Sequence, residues 1–300
     1  MLNLLLLVAM AAMFSFNPVA GKALAGIVEP GQLTLVRWII AGSLVAGIAL
    51  VRRDRERWTV KPAGLPLLVA IGMLGMGFCS LAAFAAAKTT TATNISLIYA
   101  ATAAIVLAVE WTLGQSRATT LLVAGVILCI AGAAVIVTKG HPGTLAALTF
   151  TTGDLWALAG TFAWAGYTLA LKHTRTGLTP FAMFAVTALG GALFALPVAG
   201  YETATVSLHP ITGTHVAWIL AMTLLSGVGA FLTYSYCLAR VGPVLTSAAL
   251  TLNPLLTAGF AVALVGETLA WFHGVGGALV IGGLALINLD KARTATPGKG

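Results

Sequence analysis

Charge is what this chain has least of. Only 8% of its 300 residues are Asp, Glu, Lys or Arg, while 59% are hydrophobic. A soluble domain carries about 25% charged residues. No soluble fold of this size can hide so much apolar surface, so lipid must be the solvent. Acidic residues number eight, and none falls clearly at the centre of an apolar run, which leaves a proton relay without an obvious carrier. Cys79, Cys129 and Cys237 lie inside apolar runs, with no CxxC and no nearby His, and read as small packing residues. HExxH, GxSxG and the phosphate-binding GxxxxGK-S/T pattern are all missing, and Asp154, His141 and Glu202 show no metal-ligand spacing. The expectation is therefore no enzyme, no metal and no cofactor. A strict GxxxG is also missing, so that dimer motif gives no support for association and the chain is read as a monomer.

What the chain has is apolar runs of about 20 residues, the length that crosses a bilayer core. Loop signals between them predict ten helices, at 2–24, 32–51, 65–87, 91–112, 118–138, 154–173, 179–198, 215–238, 243–264 and 270–289. The first lacks a basic leader and is read as a retained helix rather than a signal peptide. The net charge of +8 lies in short loops, which points to membrane topology rather than nucleic acid. Odd–even alternation puts only Lys22, Arg37, Lys88 and Lys139 on or toward one side, and the other 12 of 16 basic residues on the opposite side. The positive-inside rule then places both termini and the Arg52–Lys61 loop in the cytoplasm.

Two stretches echo each other. Gly75, Gly77, Ala87, Lys88, Gly114, Gln115 and Gly125 return 152 residues later as Gly227, Gly229, Ala239, Arg240, Gly266, Glu267 and Gly277. Upstream, Phe14, Asn17, Lys22 and Pro30 return at an offset of 150 as Trp164, Tyr167, Lys172 and Pro180. Five helices per copy is an odd number, so the second copy must enter the membrane upside down. The expected fold class is all-α integral membrane, ten transmembrane helices as two inverted five-helix repeats. The repeats are assigned to residues 1–139 and 153–290, with a connection at 140–152 and a cytoplasmic tail at 291–300.

A transporter of this design binds near the midplane, at the repeat interface. Phe14 and Asn17 share a face of the first helix, and Trp164 and Tyr167 answer them on the sixth. Phe84 lies along the third helix with Gly77 and Lys88, and Tyr99 lies halfway along the fourth. Asn17 offers donors and acceptors to a zwitterion, and the rings suit an apolar or aromatic side chain. These six are the candidate substrate-binding residues; each aromatic can equally be ordinary packing between helices. Pro18 and Pro254 remove backbone donors inside spans and are hinge candidates. Gly125 with Gly132, and Gly276 with Gly283, are seven apart and read as packing faces. Arg37 is matched with Glu29, Lys172 is attributed to the positive-inside bias, Lys22 to snorkelling, and Glu110 to an interfacial helix end. With no Lys or Arg at the midplane, a nucleotide-sugar or phosphorylated-metabolite carrier has less support than a carrier of neutral solutes.

At these residues the chain resembles the drug/metabolite transporter superfamily with two EamA-type repeats. That family's first helix reads W-G-x-N-F followed by Lys, and here stands Phe14-Ser15-Phe16-Asn17-Pro18 with Lys22. The second repeat carries Pro254, Gly266-Glu267 and a Gly-rich helix from Gly274 to Gly283, whereas the first has Thr102 and Gln115 in place of the Pro and Glu. Within the superfamily the chain looks most like bacterial aromatic amino-acid exporters. The resemblance implies alternating access around a central cavity and export of aromatic and other neutral amino acids or similar small metabolites. A drug-like cation, a membrane-embedded enzyme and a scaffold are the alternatives.

Overall fold

The computed structural model describes residues 2–24, 26–51, 64–89, 98–99, 101–115, 119–138, 140–141, 143, 152–174, 178–206, 209–257, 260 and 271–295. Among them the regular structure is helical, with no strand. In chain order the helices are α1 (Leu2–Leu24), α2 (Pro30–Val51), α3 (Leu65–Gly72, a π-helical Met73–Phe78, then Cys79–Thr89), α4 (Thr102–Thr112) and α5 (Thr120–Val137). They continue with α6 (Thr152–His173), α7 (Pro180–Thr205), α8 (Gly213–Ala221, a π-helical Met222–Gly229, then Ala230–Val241), α9 (Pro243–Ala249, then a 3-10 turn at Leu250–Leu252) and α10 (Trp271–Ala295). Local chemistry sets several ends. The Thr179 hydroxyl accepts from the Ala182 amide, with Pro180 in the first turn of α7. Gly242, at φ 82°, turns the chain between α8 and Pro243, a backbone conformation that favours glycine.

The bundle is apolar outside and partly polar inside. Ile39, Leu50, Ile127, Phe162, Leu193 and Ile281 are exposed, while Ser15, Thr161, Thr168, Ser226 and Thr246 are buried. Buried hydroxyls return a hydrogen bond to their own helix: Thr161 to the Ala157 carbonyl at 2.8 Å, Thr246 to the Gly242 carbonyl at 2.7 Å. In lipid that satisfies these hydroxyls without water. Among the described residues, five helical stretches are long and apolar enough to cross a membrane: Leu2–Gly21, Pro30–Ile48, Leu65–Ala86, Phe181–Thr205 and Gly213–Val241.

The sequence echo has a packing counterpart. Helix α2 lies along α7, and α5 along α10, so two helices pack against their own repeat equivalents. Both pairs run antiparallel. A Cβ on Gly125 would meet the Gly283 carbonyl at 2.8 Å, and one on Gly132, further along α5, would meet the earlier Gly276 carbonyl at 2.6 Å. The two glycine faces expected from the seven-residue spacing are thus opposite walls of one contact. Gly31 likewise meets Ala199, and Gly42 meets Ala188. The two π-helical stretches also correspond, since both contain echoed glycines, Gly75 and Gly77 in α3 and Gly227 and Gly229 in α8.

Several expectations need correction. Helix α7 runs to Thr205 rather than 198, so Glu202 lies on a helix and not in a loop, and it contains a further internal proline, Pro197. Asp154 also lies on a helix, buried in the first turn of α6. Helix α1 continues through Pro18, whose side chain, like that of Lys22, is outside the described set. The Arg52–Lys61 loop, Arg117, Lys139, Gly266 and Glu267 are outside the described residues. Pro254 follows the 3-10 turn at Leu250–Leu252. Its missing amide leaves the Leu250 carbonyl without an i+4 donor, and the helix tightens there.

Candidate substrate-binding site

Helices α1, α6 and α8 bring a set of rings to the repeat contact. Phe14 of α1 stands edge-on to Trp164 of α6 (centroids 5.7 Å, 83°) and packs on Phe231 of α8 at 5.1 Å. Trp164 lies 5.3 Å from Tyr167, 5.0 Å from Tyr234 and 5.4 Å from Phe231. Trp38 of α2 closes one side, 4.9 Å from Phe231 at 81°. Such edge-to-face pairs contribute about 0.5–1.5 kcal/mol each beyond their buried area. Polar tips are mostly engaged. The Tyr234 hydroxyl donates to the Thr168 hydroxyl, which itself donates to the Trp164 carbonyl at 2.8 Å. Trp38 Nε1 donates to Ser80 Oγ at 3.2 Å. Trp164 Nε1 is buried with no acceptor among the described residues.

Beside the rings lies a buried cation. Arg37 is 2% exposed; its Nη1 donates to Asn17 Oδ1 at 3.1 Å and its Nη2 to the Ser226 carbonyl at 3.0 Å. The carbonyl belongs to the π-helical stretch of α8, whose Ser226 hydroxyl donates to the Met13 carbonyl at 2.7 Å. The guanidinium lies 4.7 Å from the Trp38 ring centroid. The expected Arg37–Glu29 pair does not form, because Glu29 binds Lys88 instead. A guanidinium thus lies beside the ring cluster, where no Lys or Arg was expected.

Of the candidate residues, the structure brings Phe14, Trp164 and Tyr167 into one cluster, with Asn17 one turn along α1. Phe84 lies in another cluster, while Tyr99 packs against the same core at Cys79 and Gly160. Phe84 packs against Gly21 in a separate apolar cluster with Leu24, Leu33 and Met222. The Tyr99 hydroxyl donates to the Cys79 carbonyl at 3.5 Å and fills the space beside Gly160, between α3 and α6. Phe231, Tyr234 and Trp38 were missed. The i, i+3 spacing that singled out Phe14/Asn17 and Trp164/Tyr167 also marks Phe231/Tyr234, and was the available signal.

Polar ties hold both ends of the bundle. At one end Lys88 pairs with Glu29, and both Glu202 oxygens accept from the first amides of α2, Gly31 N at 3.0 Å and Gln32 N at 2.9 Å. At the other, Lys172 of α6 pairs with Glu110 of α4 and reaches Gln115 at 3.3 Å. Glu110 lies in the last turn of α4 and is buried within the protein, and Lys172 is its partner across the repeats. A cavity of ≈ 710 Å³ opens at the first end, lined by Ile27, Gln32, Leu196, Thr203, His209 and Ile211, apart from the ring cluster.

The EamA-like transporter family model matches residues 1–138 and again 151–289, two copies at the spacing of the echo. This chain belongs to the EamA-like transporter family. It is a membrane-embedded, multi-pass transporter. An uncharacterised transporter of Archaeoglobus fulgidus is 30% identical over 86% of this chain and 87% of its own length. A probable terminal-alkyne amino-acid exporter of Streptantibioticus cattleyicolor is 29% identical, covering 93% of this chain and 90% of its own. A protein of known crystal structure superposes with a TM-score of 0.72 over 94% of this chain and 96% of its own, at 20% identity, which bears on the fold alone. Within this EamA-like frame the ring cluster sits where α1 and α6, equivalent helices of the two copies, meet α8.

Proposed function

We propose that this EamA-like transporter exports neutral amino acids, aromatic ones among them, from the cytoplasm across a bacterial inner membrane. Ten spans in two inverted repeats, with both termini cytoplasmic, rock about the ring cluster to open it to each side in turn. The observation that carries the reading is the cluster itself. Phe14, Trp164, Tyr167, Phe231 and Tyr234 pack ring against ring, flanked by Asn17 and by a buried Trp164 Nε1 with no acceptor among the described residues. Such a setting suits a solute with an apolar body and a polar head. The terminal-alkyne amino-acid exporter among the relatives supports the same substrate class. The protein acts as a monomer, with small solute and lipid as its partners and no cofactor.

A nucleotide-sugar carrier is a second reading, favoured by one observation: Arg37 places a guanidinium beside the cluster. A diphosphate calls for several such groups, and the described cluster supplies one. A cationic drug is disfavoured by the same charge.

The test is counterflow in proteoliposomes with labelled phenylalanine, methionine, threonine, a uridine-diphosphate sugar and a quaternary amine. Protein-dependent flux of the amino acids is expected. Flux of the nucleotide sugar alone moves the assignment to the second reading, and no flux of any solute ends the transporter-of-metabolites reading.

A further inference from the structure

We propose that Arg37 is the group that takes the substrate's carboxylate, and that Asn17 holds its guanidinium until the substrate arrives. This rests on the amino-acid reading above. A guanidinium inside a membrane span is costly unless it is used. Here it is 2% exposed, and among the described residues it meets only neutral acceptors, Asn17 Oδ1 and the Ser226 carbonyl. Four of the described carboxylates are engaged away from it: Glu29 by Lys88, Glu110 by Lys172, Glu202 by the start of α2, and Asp290 by the Thr119 hydroxyl. Its Nε is buried with no acceptor among the described residues.

Two further features fit an anion anchor better than a structural tie. The acceptor on α8 belongs to a π-helical stretch, Met222–Gly229, where the backbone ladder is loosened, a feature frequent at functional sites. Gly227 in that stretch leaves the space beside Nε open, since a Cβ there would come no nearer than 3.6 Å. The guanidinium also adjoins the rings through Trp38, which packs 4.7 Å from Arg37 and 4.9 Å from Phe231. A solute with its side chain among Phe14, Trp164 and Phe231 would have its head near Arg37. A carboxylate binds a guanidinium through two parallel charge-assisted hydrogen bonds, which a neutral amide oxygen cannot equal. Asn17 is then the placeholder, neutral enough to be displaced.

The experiment compares flux and competition by phenylalanine and by phenylalaninamide, which lacks the carboxylate, in wild type and in Arg37→Gln, Arg37→Lys and Asn17→Asp. Wild type should prefer phenylalanine, and Arg37→Gln should reduce that preference about ten- to a hundredfold, the scale of a charged hydrogen bond. Arg37→Lys should retain part of it, because the charge stays while the fork is lost. Asn17→Asp is the decisive variant, since it is nearly isosteric and places a fixed carboxylate on Arg37. A structural tie would gain from it, with thermal stability and flux both held. An anchor predicts held stability and lost phenylalanine flux, because the site is occupied by its own side chain. Unchanged preference in Arg37→Gln, or full flux in Asn17→Asp, overturns the proposal while leaving amino-acid export intact. Absence of amino-acid flux in wild type overturns the export reading first, and the amino-acid carboxylate as Arg37's ligand with it.

Discussion

Gly125 and Gly283 face each other backbone to backbone across α5 and α10. A Cβ on Gly283 would lie 2.5 Å from the Gly125 carbonyl, and one on Gly125 would lie 2.8 Å from the Gly283 carbonyl. Small residues let membrane helices approach this closely, and dispersion between the backbones then holds them. Gly283→Ala should destabilise the bundle by about 1–3 kcal/mol, the usual cost of overpacking. Gly282→Ala, whose Cβ would meet only Leu128 at 3.4 Å, should change stability little. Thermal unfolding of the two variants in detergent checks the contrast, and equal midpoints would refute the close-contact account.

The ring cluster predicts a selectivity pattern. Trp164 and Phe231 touch each other at 5.4 Å, and both touch Phe14. If an aromatic substrate replaces these ring-to-ring contacts with its own, Phe231→Ala should weaken phenylalanine transport more than threonine transport. Aromatic contacts of about 0.5–1.5 kcal/mol each imply a selective loss of about two- to tenfold. Phe84→Ala is the internal control, because Phe84 packs against Gly21 in a different cluster. Equal loss for both solutes, or a Phe84 effect as large, would remove the rings from substrate selection.

Much of this arrangement was legible in the sequence, and the rest was hidden for physical reasons. Apolar run length and paired glycines are local signals, and they led to the apolar helices and to two glycine faces, which the structure packs against each other. The side-chain pairing was not local. Arg37 reaches from α2 to Asn17, 20 positions earlier, and to Ser226, 189 positions later. Nothing near Arg37 in the chain marks that partner, and the nearby Glu29 was the obvious but wrong choice. The partner of Glu110 was hidden in the same way: its position near a helix end was legible, but Lys172, 62 positions away, was not marked as its partner. The i, i+3 aromatic spacing led to Phe14, Trp164 and Tyr167, while position along a helix alone could not tell which neighbours Phe84 and Tyr99 would meet. Phe84 meets Gly21 in another cluster, and Tyr99 meets Cys79 and Gly160.

The Lys172–Glu110 pair joins α6 to α4, and therefore the second copy to the first. The Glu110 side chain is 3% exposed and Lys172 29%. Removing one partner of a fully buried pair costs about 3–5 kcal/mol, and the exposure of Lys172 puts the loss here below that range. Glu110→Gln should lower thermal stability modestly. If this tie must open during each cycle, the variant should also raise the fraction of molecules accessible from that side. Cysteine labelling at a position near Asn17, from each face of oriented vesicles, measures this. Unchanged labelling with reduced stability would mean the pair is a static brace.

Glu202 closes the opposite end by a different device. Both its oxygens accept from backbone amides at the start of α2, where the helix leaves donors unsatisfied and carries partial positive charge. A capping carboxylate contributes about 0.5–2 kcal/mol, and here the capped helix and the cap belong to different repeats. Glu202→Ala should free the start of α2 from α7 and favour opening at the end that holds Glu29 and Lys88. Glu202→Gln keeps one acceptor oxygen and presents an amide to the second donor, so its effect should be smaller in the same direction. Gly31→Ala should resemble Glu202→Ala, because its Cβ would press to 2.7 Å from the Glu202 oxygen and displace the carboxylate. Side-specific labelling would rank the three variants. A Glu202→Ala protein labelled like wild type from both faces would show that this cap stabilises the fold without gating it.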